Sequence, residues 1–223
     1  MWLTIIIPTY QDDAALQRLV QTLKTWDLAT VAVIIVDGEQ RLRPTWLPQA
    51  YRYLSWPRAN RGAQLKAGAD LATTPYLWFL HVDSAFPDGS PLPILNQWRP
   101  AIGFCTLRYD VPRWIFKWIA RGSNFRARRL QMIFGDQSLF VKRTLYQQSG
   151  GFESQPLMED WALSRRLAAL HVPMTQLPIP LVTSARKYQQ NGVLRTLWQM
   201  QMIKLGYVLG RSPQKLWERY YRK

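Results

Sequence analysis

The stretch YLWFLHVDSAFPDG, residues 76–89, decides the fold class of this sequence. A run of large apolar residues, 76–80, is followed by His81 and Asp83 and then by a loop rich in Pro and Gly. A short apolar run bounded by turn residues is typical of a strand that is covered on both faces, as in a parallel sheet. We therefore interpret residues 76–81 as a buried strand that ends in polar residues.

The same pattern occurs earlier in the chain. Residues 3–7 form a β-branched run that stops at Pro8, and an amphipathic helical pattern follows it. The segment VAVIIVDG, residues 31–38, is a second buried strand, while residues 50–56 predict a short strand and residues 61–71 a helix. Strands that alternate with helices indicate an α/β layer architecture with right-handed crossovers.

The bulk composition narrows the possible partners. The 223 residues suit one main domain with a short appendage, and 29 Lys and Arg against 14 Asp and Glu give a net charge of +15. This charge favours nucleic acid, anionic lipid headgroups or phosphorylated substrates. One cysteine, Cys105, excludes an internal disulfide framework and a Cys-based zinc site. We expect no secretory signal, no membrane-spanning segment and a cytoplasmic location.

Polar residues follow three of the predicted strands. The endings are PTYQDD (8–13), VDGEQ (36–40) and HVDS (81–84). A lone Asp after a strand is often a turn former, but ligands bind outside the carboxyl ends of parallel strands, so three such endings favour a ligand site. Carboxylate oxygen suits a divalent cation that also holds substrate phosphates, which makes Asp83 a candidate metal ligand; His81 is better explained by a structural hydrogen bond.

A pair of acidic residues, Glu159 and Asp160, begins a predicted helix. Carboxylates in the first turn are stabilised by the helix dipole, and this alone would explain the pair. A carboxylate near a diphosphate is also a reasonable general base for a hydroxyl nucleophile. The spacing alone leaves both interpretations open.

Taken in order, the motifs resemble a known family. IIIPTYQDD, VIIVDG, RGAQLKAGA, LWFLHVDS, GDQSLFVKR, GGFESQPLMEDWALSRRL and TSARKYQQNGVLRT span almost the whole chain. Together they resemble the family 2 inverting glycosyltransferases of the type-A fold, most closely a bacterial subgroup encoded near radical-enzyme and selenium-associated genes. The resemblance implies a Rossmann-like, mostly parallel sheet flanked by helices, with amphipathic helices in the C-terminal half.

The resemblance also implies a mechanism and a set of site residues. The donor would be a UDP-sugar or GDP-sugar, Mg²⁺ or Mn²⁺ would be the cofactor, and one in-line displacement would invert the anomeric carbon. Asp83 matches the metal-binding aspartate, and Asp160 matches the catalytic base with Glu159 in support. The remaining matches are Pro8, Thr9, Tyr10, Asp12, Asp37 and Arg61 on the donor side, and Asp136 and Gln137 on the acceptor side.

Among the departures from the family pattern, two stretches bear most on the predicted site. After VDG the relatives usually continue with a Ser-Thr-Asp-Gly-like stretch, whereas residues 39–42 here are Glu, Gln, Arg and Leu. The nucleobase contacts beyond Asp37 therefore stay open. The familiar two-aspartate metal motif is reduced to His81-Val82-Asp83, so metal binding should depend on Asp83 and on the donor phosphates.

Two basic, Trp-rich stretches, residues 113–134 and 187–223, could be amphipathic helices. Such helices can lie in the plane of a bilayer, with Trp at the interface and cations on lipid phosphates, or they can pack on the core or on a partner subunit. We divide the chain into a glycosyltransferase domain, 1–186, and a basic helical segment, 187–223, packed on the domain or on the membrane. We expect peripheral association with the inner face of the cell membrane and a hydroxyl acceptor, for which a lipid-linked molecule is one candidate.

Three other functions are compatible with parts of the sequence. A nucleic-acid-binding module would use the charge and the aromatics, but carboxylates at strand ends would repel a phosphate backbone. A nucleotidyltransferase usually has a Gly-rich basic loop after its first strand, where this chain has PTYQDD. A catalytically inactive membrane scaffold is the third alternative, and the altered VDGEQ stretch supports it.

Overall fold

Residues 1–221 are described by a computed structural model, and their strands form one seven-stranded sheet. The strands are β1 (Leu3–Thr9), β2 (Val31–Asp37), β3 (Arg52–Ser55), β4 (Tyr76–Phe79), β5 (Ile102–Tyr109), β6 (Leu139–Lys142) and β7 (Met174–Thr183). Their order across the sheet is β3-β2-β1-β4-β6-β5-β7. The predicted α/β fold with a mostly parallel sheet is confirmed.

Helices flank this sheet and extend beyond it at the C-terminal end of the chain. They are α1 (Asp13–Leu23), α2 (Arg61–Asp70), α3 (Leu92–Trp98), α4 (Trp114–Leu130), α5 (Arg143–Gln148), α6 (Glu159–Ala168), α7 (Arg186–Asn191), α8 (Val193–Val208) and α9 (Pro213–Tyr221). Residues 222 and 223 of the predicted C-terminal segment lie outside the described residues.

Strand register brings the polar strand ends to one edge of the sheet. β1 is parallel to β2 and β4, with Thr9 opposite Asp37 and Ile6 opposite Phe79. β6 is antiparallel to both of its neighbours, so its beginning at Leu139 lies at the same edge as the ends of β1, β2 and β4. We call this edge the site edge.

Two hydrophobic clusters lie on opposite faces of the sheet. Alternate β4 residues divide between them, since Trp78 belongs to one cluster and Leu77 and Phe79 to the other. Trp78 and Leu77 are both fully buried. The apolar run that begins at residue 76 is therefore a central strand covered on both faces, because helices cover each side of a parallel sheet.

The sequence patterns did not identify β5 and β7. β7 contains Pro178 and Pro180, and a proline cannot donate to a strand ladder. β7 forms the edge of the sheet and pairs with β5, with a register shift between Phe104 and Thr106, and Val182 near its end forms an isolated bridge with Ala85. An edge position with an irregular register is where a strand tolerates prolines.

The C-terminal helices pack on the rest of the protein through two small clusters. One joins Phe116 of α4 to Tyr188 of α7 and Leu197 of α8. The other joins Met158 to Ile203 of α8 and Leu216 of α9. Within residues 1–221, the helices are too short or too polar to cross a bilayer.

Candidate active site

Helix α2 begins at the site edge and positions Arg61. Asn60 caps it, since its side chain accepts from the Ala63 amide at 3.0 Å. A Cβ on Gly62 would lie 2.1 Å from the Glu153 carbonyl oxygen, so only glycine allows this close approach. The Gln64 amide donates to the carbonyl oxygens of Thr9 at 2.8 Å and Val36 at 2.9 Å. These contacts hold the first turn of α2 against the ends of β1 and β2.

Helix α6 places two carboxylates in its first turn, at the same edge. Met158, which precedes it, is in the left-handed region with φ 66°. The Ser164 hydroxyl donates to the Ile133 carbonyl at 2.8 Å and accepts from the Ile133 amide at 3.0 Å. The helix is thereby fixed to the loop before β6, and both Glu159 and Asp160 are buried.

The Arg61 guanidinium binds both carboxylates. Its Nε donates to Glu159 Oε1 and its Nη2 donates to Asp160 Oδ2. Its Nη1 lies 3.1 Å from His81 Nε2. We call Arg61, His81, Glu159 and Asp160 the arginine cluster. The forked geometry of a guanidinium suits this arrangement, because each partner meets a different nitrogen.

The two oxygens of Asp160 have different surroundings. Oδ2 accepts from Arg61 and from the Gly135 amide, the latter at 2.9 Å. Among the described residues, no group donates to Oδ1. A Cβ on Gly135 would lie 2.1 Å from His81 Nε2 and 2.9 Å from Asp160 Oδ2, so a side chain there would displace the cluster. One carboxylate oxygen is therefore held in place and the other is left for a ligand.

Glu159 supports the cluster from a fully buried position. Burial raises the pKa of Glu159, Arg61 opposes this effect and the negative charge of Asp160 adds to it, with a net result of about 7. Oε2 is buried and, within the described residues, has no hydrogen-bond partner. The second oxygen is therefore an incompletely satisfied acceptor behind the candidate base.

His81 joins the arginine cluster through a hydrogen bond with Arg61, which is the kind of structural role expected for it from the sequence. Burial lowers the pKa of His81 to about 3, and the Arg61 charge acts in the same direction, so the ring is neutral at physiological pH. A neutral ring whose Nε2 accepts from Arg61 carries its proton on Nδ1, which lies 3.8 Å from Asp83 Oδ1. His81 thus lies between the predicted metal ligand and the cluster. The available signal was its placement two residues before Asp83.

The raised pKa of Glu159 predicts a pH-dependent stability. A carboxyl whose folded pKa exceeds its ordinary value of 4.5 binds more protons when folded, so its contribution is present below pH 4.5 and is lost as the pH rises through about 7. We expect Glu159→Gln to gain on the order of 2 kcal/mol relative to the wild type between pH 5 and 8. Urea unfolding at both pH values measures this. A constant difference would contradict the protonation of buried Glu159.

Asp83 follows β4 and is partly exposed, with 43% of its side chain accessible. Desolvation raises the pKa of this carboxyl, and the nearby charge of Asp12 raises it further, while Arg186 and Arg61 lower it. Within residues 1–221 there is no group of three or more His, Cys, Asp or Glu that could hold a metal. A hard divalent cation is nevertheless compatible with one accessible carboxylate when substrate phosphates supply further oxygen ligands.

Asp37 has its carboxylate occupied by neighbouring residues. It is fully buried, Oδ1 accepts from the Glu39 amide at 3.0 Å, and Oδ2 accepts from Arg41 Nε at 2.8 Å and the Tyr53 hydroxyl at 3.0 Å. Arg41 also binds Asp13. Two of these donors, Glu39 and Arg41, belong to the stretch after VDG that departs from the family pattern. A nucleobase that bound this carboxylate would have to replace one of these hydrogen bonds.

The other donor-side residues lie around the end of β1. Pro8 pairs with Val36 in the sheet, Thr9 is buried and Tyr10 is half exposed. The hydroxyl of Thr9 has no hydrogen-bond partner among the described residues. Asp12 caps α1 by accepting from the Ala15 amide at 3.2 Å, so it has a structural contact besides its predicted role.

The acceptor-side residues lie in a short 3-10 turn, Gly135–Gln137. Asp136 Oδ1 is buried without a partner in the described residues, and burial raises the pKa of this carboxyl, which the nearby Arg126 opposes. The side chain of Gln137 is instead turned inward, where it accepts from Arg126 at 3.1 Å and donates to Asn124 at 3.2 Å. Asp136 therefore has one oxygen without a hydrogen-bond partner among the described residues, whereas Gln137 shapes the loop.

A mostly parallel sheet with carboxylates at the ends of its strands is the architecture of the type-A glycosyltransferases. The sequence model of Glycosyl transferase family 2 matches residues 4–149, which is more than half of the chain. The chain belongs to this family. The finer assignment to the bacterial subgroup stays a prediction, and a search of curated proteins found no match.

Several solved structures share the fold at low sequence identity. S. aureus TarS 1-349 has a TM-score of 0.61 and 12% identity over 82% of this chain, and its complex with UDP has a TM-score of 0.63 and 13% identity over 83%. The mannosyltransferase PcManGT from Pyrobaculum calidifontis, in complex with GDP-Man and Mn²⁺, has a TM-score of 0.65 and 17% identity over 90%. This chain covers 60%, 61% and 60% of those three chains, respectively.

Proposed function

We propose that this protein transfers a sugar from a nucleotide-sugar donor to a hydroxyl acceptor, with inversion of the anomeric carbon. The observation that carries the proposal is the arginine cluster, which lies at the site edge and leaves one oxygen of Asp160 without a partner among the described residues. Family membership and the complexes of similar structures with UDP and GDP-Man support a UDP-sugar or GDP-sugar as donor.

The proposed reaction is a single displacement. The acceptor oxygen attacks the anomeric carbon, the bond from that carbon to the diphosphate oxygen breaks, and the diphosphate leaves with the bonding electrons. Asp160 Oδ1 accepts the proton of the acceptor hydroxyl. Arg61 and the Gly135 amide hold Oδ2, so the carboxylate is oriented before the acceptor arrives.

Asp83 would hold Mg²⁺ or Mn²⁺ together with the donor phosphates. Such a cation, when bound, neutralises negative charge on a leaving diphosphate. The PcManGT structure contains Mn²⁺, which supports a divalent cation in this fold. His81 would help to position Asp83. One nitrogen of its ring, Nε2, contacts the Arg61 guanidinium, and the other, Nδ1, lies 3.8 Å from Asp83 Oδ1.

One observation favours a second candidate function, an inactive glycosyltransferase-like scaffold. The oxygens of Asp37 accept hydrogen bonds from Glu39, Arg41 and Tyr53, so a nucleobase could bind this carboxylate only by replacing one of them. The two candidates differ in donor binding, since a scaffold has no need of a nucleotide sugar. We favour the enzyme, because burying the two carboxylates of the arginine cluster costs free energy of folding.

A donor panel tests the proposal. UDP-sugars and GDP-sugars, each with Mg²⁺ or Mn²⁺, should raise the melting temperature for at least one donor, since binding to the folded state stabilises it. Asp83→Ala should reduce the cation-dependent part of this shift, because it should lower the affinity for the donor by about tenfold or more. Asp88→Ala, an exposed carboxylate in the same loop, is the matched control. If no donor changes the melting temperature, the transferase proposal fails and the scaffold replaces it.

A further inference from the structure

Two helices expose apolar side chains that the fold does not cover. On α4, Trp114, Trp118 and Phe125 are 71%, 63% and 56% exposed. On α8, Leu194 and Trp198 are 80% and 68% exposed. Spacings of four and seven residues put each set on one side of its helix. Exposed large apolar residues that form continuous stripes mark an interaction surface.

These stripes are distinct from the faces that hold the helices in place. Phe116 of α4 is buried, with Tyr188 of α7, in a cluster that also contains Leu197 of α8. Ile203 of α8 is buried in a second cluster, against Leu216 of α9. Both helices thus have a satisfied inner face and an apolar outer stripe.

The surroundings of the stripes are positively charged. Residues 111–135 and 161–217 contain no Asp or Glu. Six exposed cations lie on α4 or α8 or directly beside them: Arg113, Lys117, Arg121, Arg128, Arg129 and Arg195. Within residues 1–221, none of the six forms an ion pair. Interleaved Trp and cations without acidic residues complement an anionic bilayer, where Trp sits at the interface and cations meet lipid phosphates.

A cleft of about 500 Å³ opens between the end of β5 and α4. Leu107, Val111 and Phe116 supply apolar walls, and Arg108, Lys117 and Arg121 supply cations, while no acidic residue lines it. A cleft with both properties suits an amphiphile, because cations bind its phosphate and apolar walls bind its hydrocarbon chain.

The cleft adjoins the acceptor side of the candidate active site. Tyr109 lines the cleft. Asn124 also lines the cleft, and its side chain accepts a hydrogen bond at 3.2 Å from Gln137, which lies in the turn Gly135–Gln137. A molecule bound in the cleft would therefore lie close to the turn that bears Asp136.

We propose that the outer stripes of α4 and α8 dock on an anionic bilayer and that the cleft beneath α4 binds the phosphate of a lipid-linked hydroxyl acceptor from that bilayer. The identification of the bound lipid as the acceptor rests on the proposed transferase function, whereas docking does not. A second copy of the chain is disfavoured as occupant, because it would bring two faces of the same positive charge together.

Vesicle sedimentation tests the docking step. We expect the protein to pellet with phosphatidylcholine vesicles that contain phosphatidylglycerol and to stay in solution with pure phosphatidylcholine, and salt should reduce the binding. Lys117→Gln with Arg121→Gln, and separately Trp118→Ser with Trp198→Ser, should each weaken the partition by about tenfold or more. Two controls lie away from this face. Arg18→Gln with Lys24→Gln removes the same number of charges from α1 and its C-cap, and Trp98→Ser removes an exposed Trp from α3. Both controls should pellet like the wild type.

Several results would overturn the inference. Wild-type protein that stays in solution with anionic vesicles refutes docking, as do stripe variants that pellet normally. Loss of self-association in the Trp variants, measured by gel filtration without vesicles, would assign the face to a second copy. Soluble glycerol phosphate that releases the protein from vesicles at low concentration would assign the cleft to free phosphate.

The donor-induced melting shift separates the two proposals. The Trp118→Ser, Trp198→Ser variant should keep this shift, since the stripes lie outside the arginine cluster. If the protein binds a donor but no vesicle, only the docking proposal fails. If it binds vesicles but no donor, the docking face stands, whereas the proposed transferase function and the acceptor role of the lipid both fail.

Discussion

Replacing Arg61 with methionine lowers the free energy of unfolding by about 3–5 kcal/mol in our expectation. The guanidinium contacts both Glu159 and Asp160, and each of these carboxylates is buried. Without Arg61, two adjacent carboxylates would keep their desolvation cost and lose the opposite charge. Chemical denaturation at pH 8, above the raised pKa of Glu159, measures the loss.

Two further variants identify the cause of this loss. Arg61→Lys retains the charge but not the fork, so it should fall between the wild type and Arg61→Met. Combining Arg61→Met with Glu159→Gln should recover part of the stability, because one of the uncompensated charges is removed. A loss below 1 kcal/mol for Arg61→Met would show that the carboxylates do not depend on this residue.

Asp160→Asn is expected to reduce turnover by a factor of about 10² to 10⁴ and to leave donor binding unchanged. An amide of the same size fills the space but does not take a proton from the acceptor hydroxyl. The backbone amide of Gly135 still has an oxygen to which it donates, so the loop before β6 should keep its position. Donor binding followed by the melting shift, together with product formation in a single-turnover assay, measures the two effects separately.

The matched control for this substitution is Asp70→Asn. Asp70 is an exposed carboxylate at the end of α2 that pairs with Lys66 at 2.7 Å, so its loss should change neither measurement. Turnover within tenfold of the wild type for Asp160→Asn would mean that another group takes the proton. Loss of donor binding would mean that Asp160 contributes to the donor site instead.

The central part of the fold could be predicted from local patterns. Buried parallel strands are continuous apolar runs, and each of the runs before Pro8, Gly38 and His81 is a strand of the sheet. Because parallel strands end at one edge, the same patterns also predicted that the polar residues after these strands lie near one another. β7 lacked such a signal, since Pro178 and Pro180 are tolerated only by its edge position, which is set by the rest of the sheet.

Side-chain partnerships were less predictable. Arg61 and Asp160 were both expected near the substrate, but nothing in their spacing indicated that one binds the other. Asp37 was expected to contact a nucleobase, and in the structure its oxygens accept hydrogen bonds from Glu39, Arg41 and Tyr53. The role of His81 also depends on three-dimensional contacts, because a histidine is placed by what surrounds both of its ring nitrogens.

The arginine cluster joins residues that are far apart in the chain, since Arg61 and Glu159 are separated by 98 positions. The region that matches the family ends at residue 149, before either carboxylate. A fragment cut at that boundary for expression would contain Arg61 but neither Glu159 nor Asp160, the proposed base. During synthesis, likewise, Arg61 leaves the ribosome well before its partners, so the complete arginine cluster would be among the last features that the growing chain acquires.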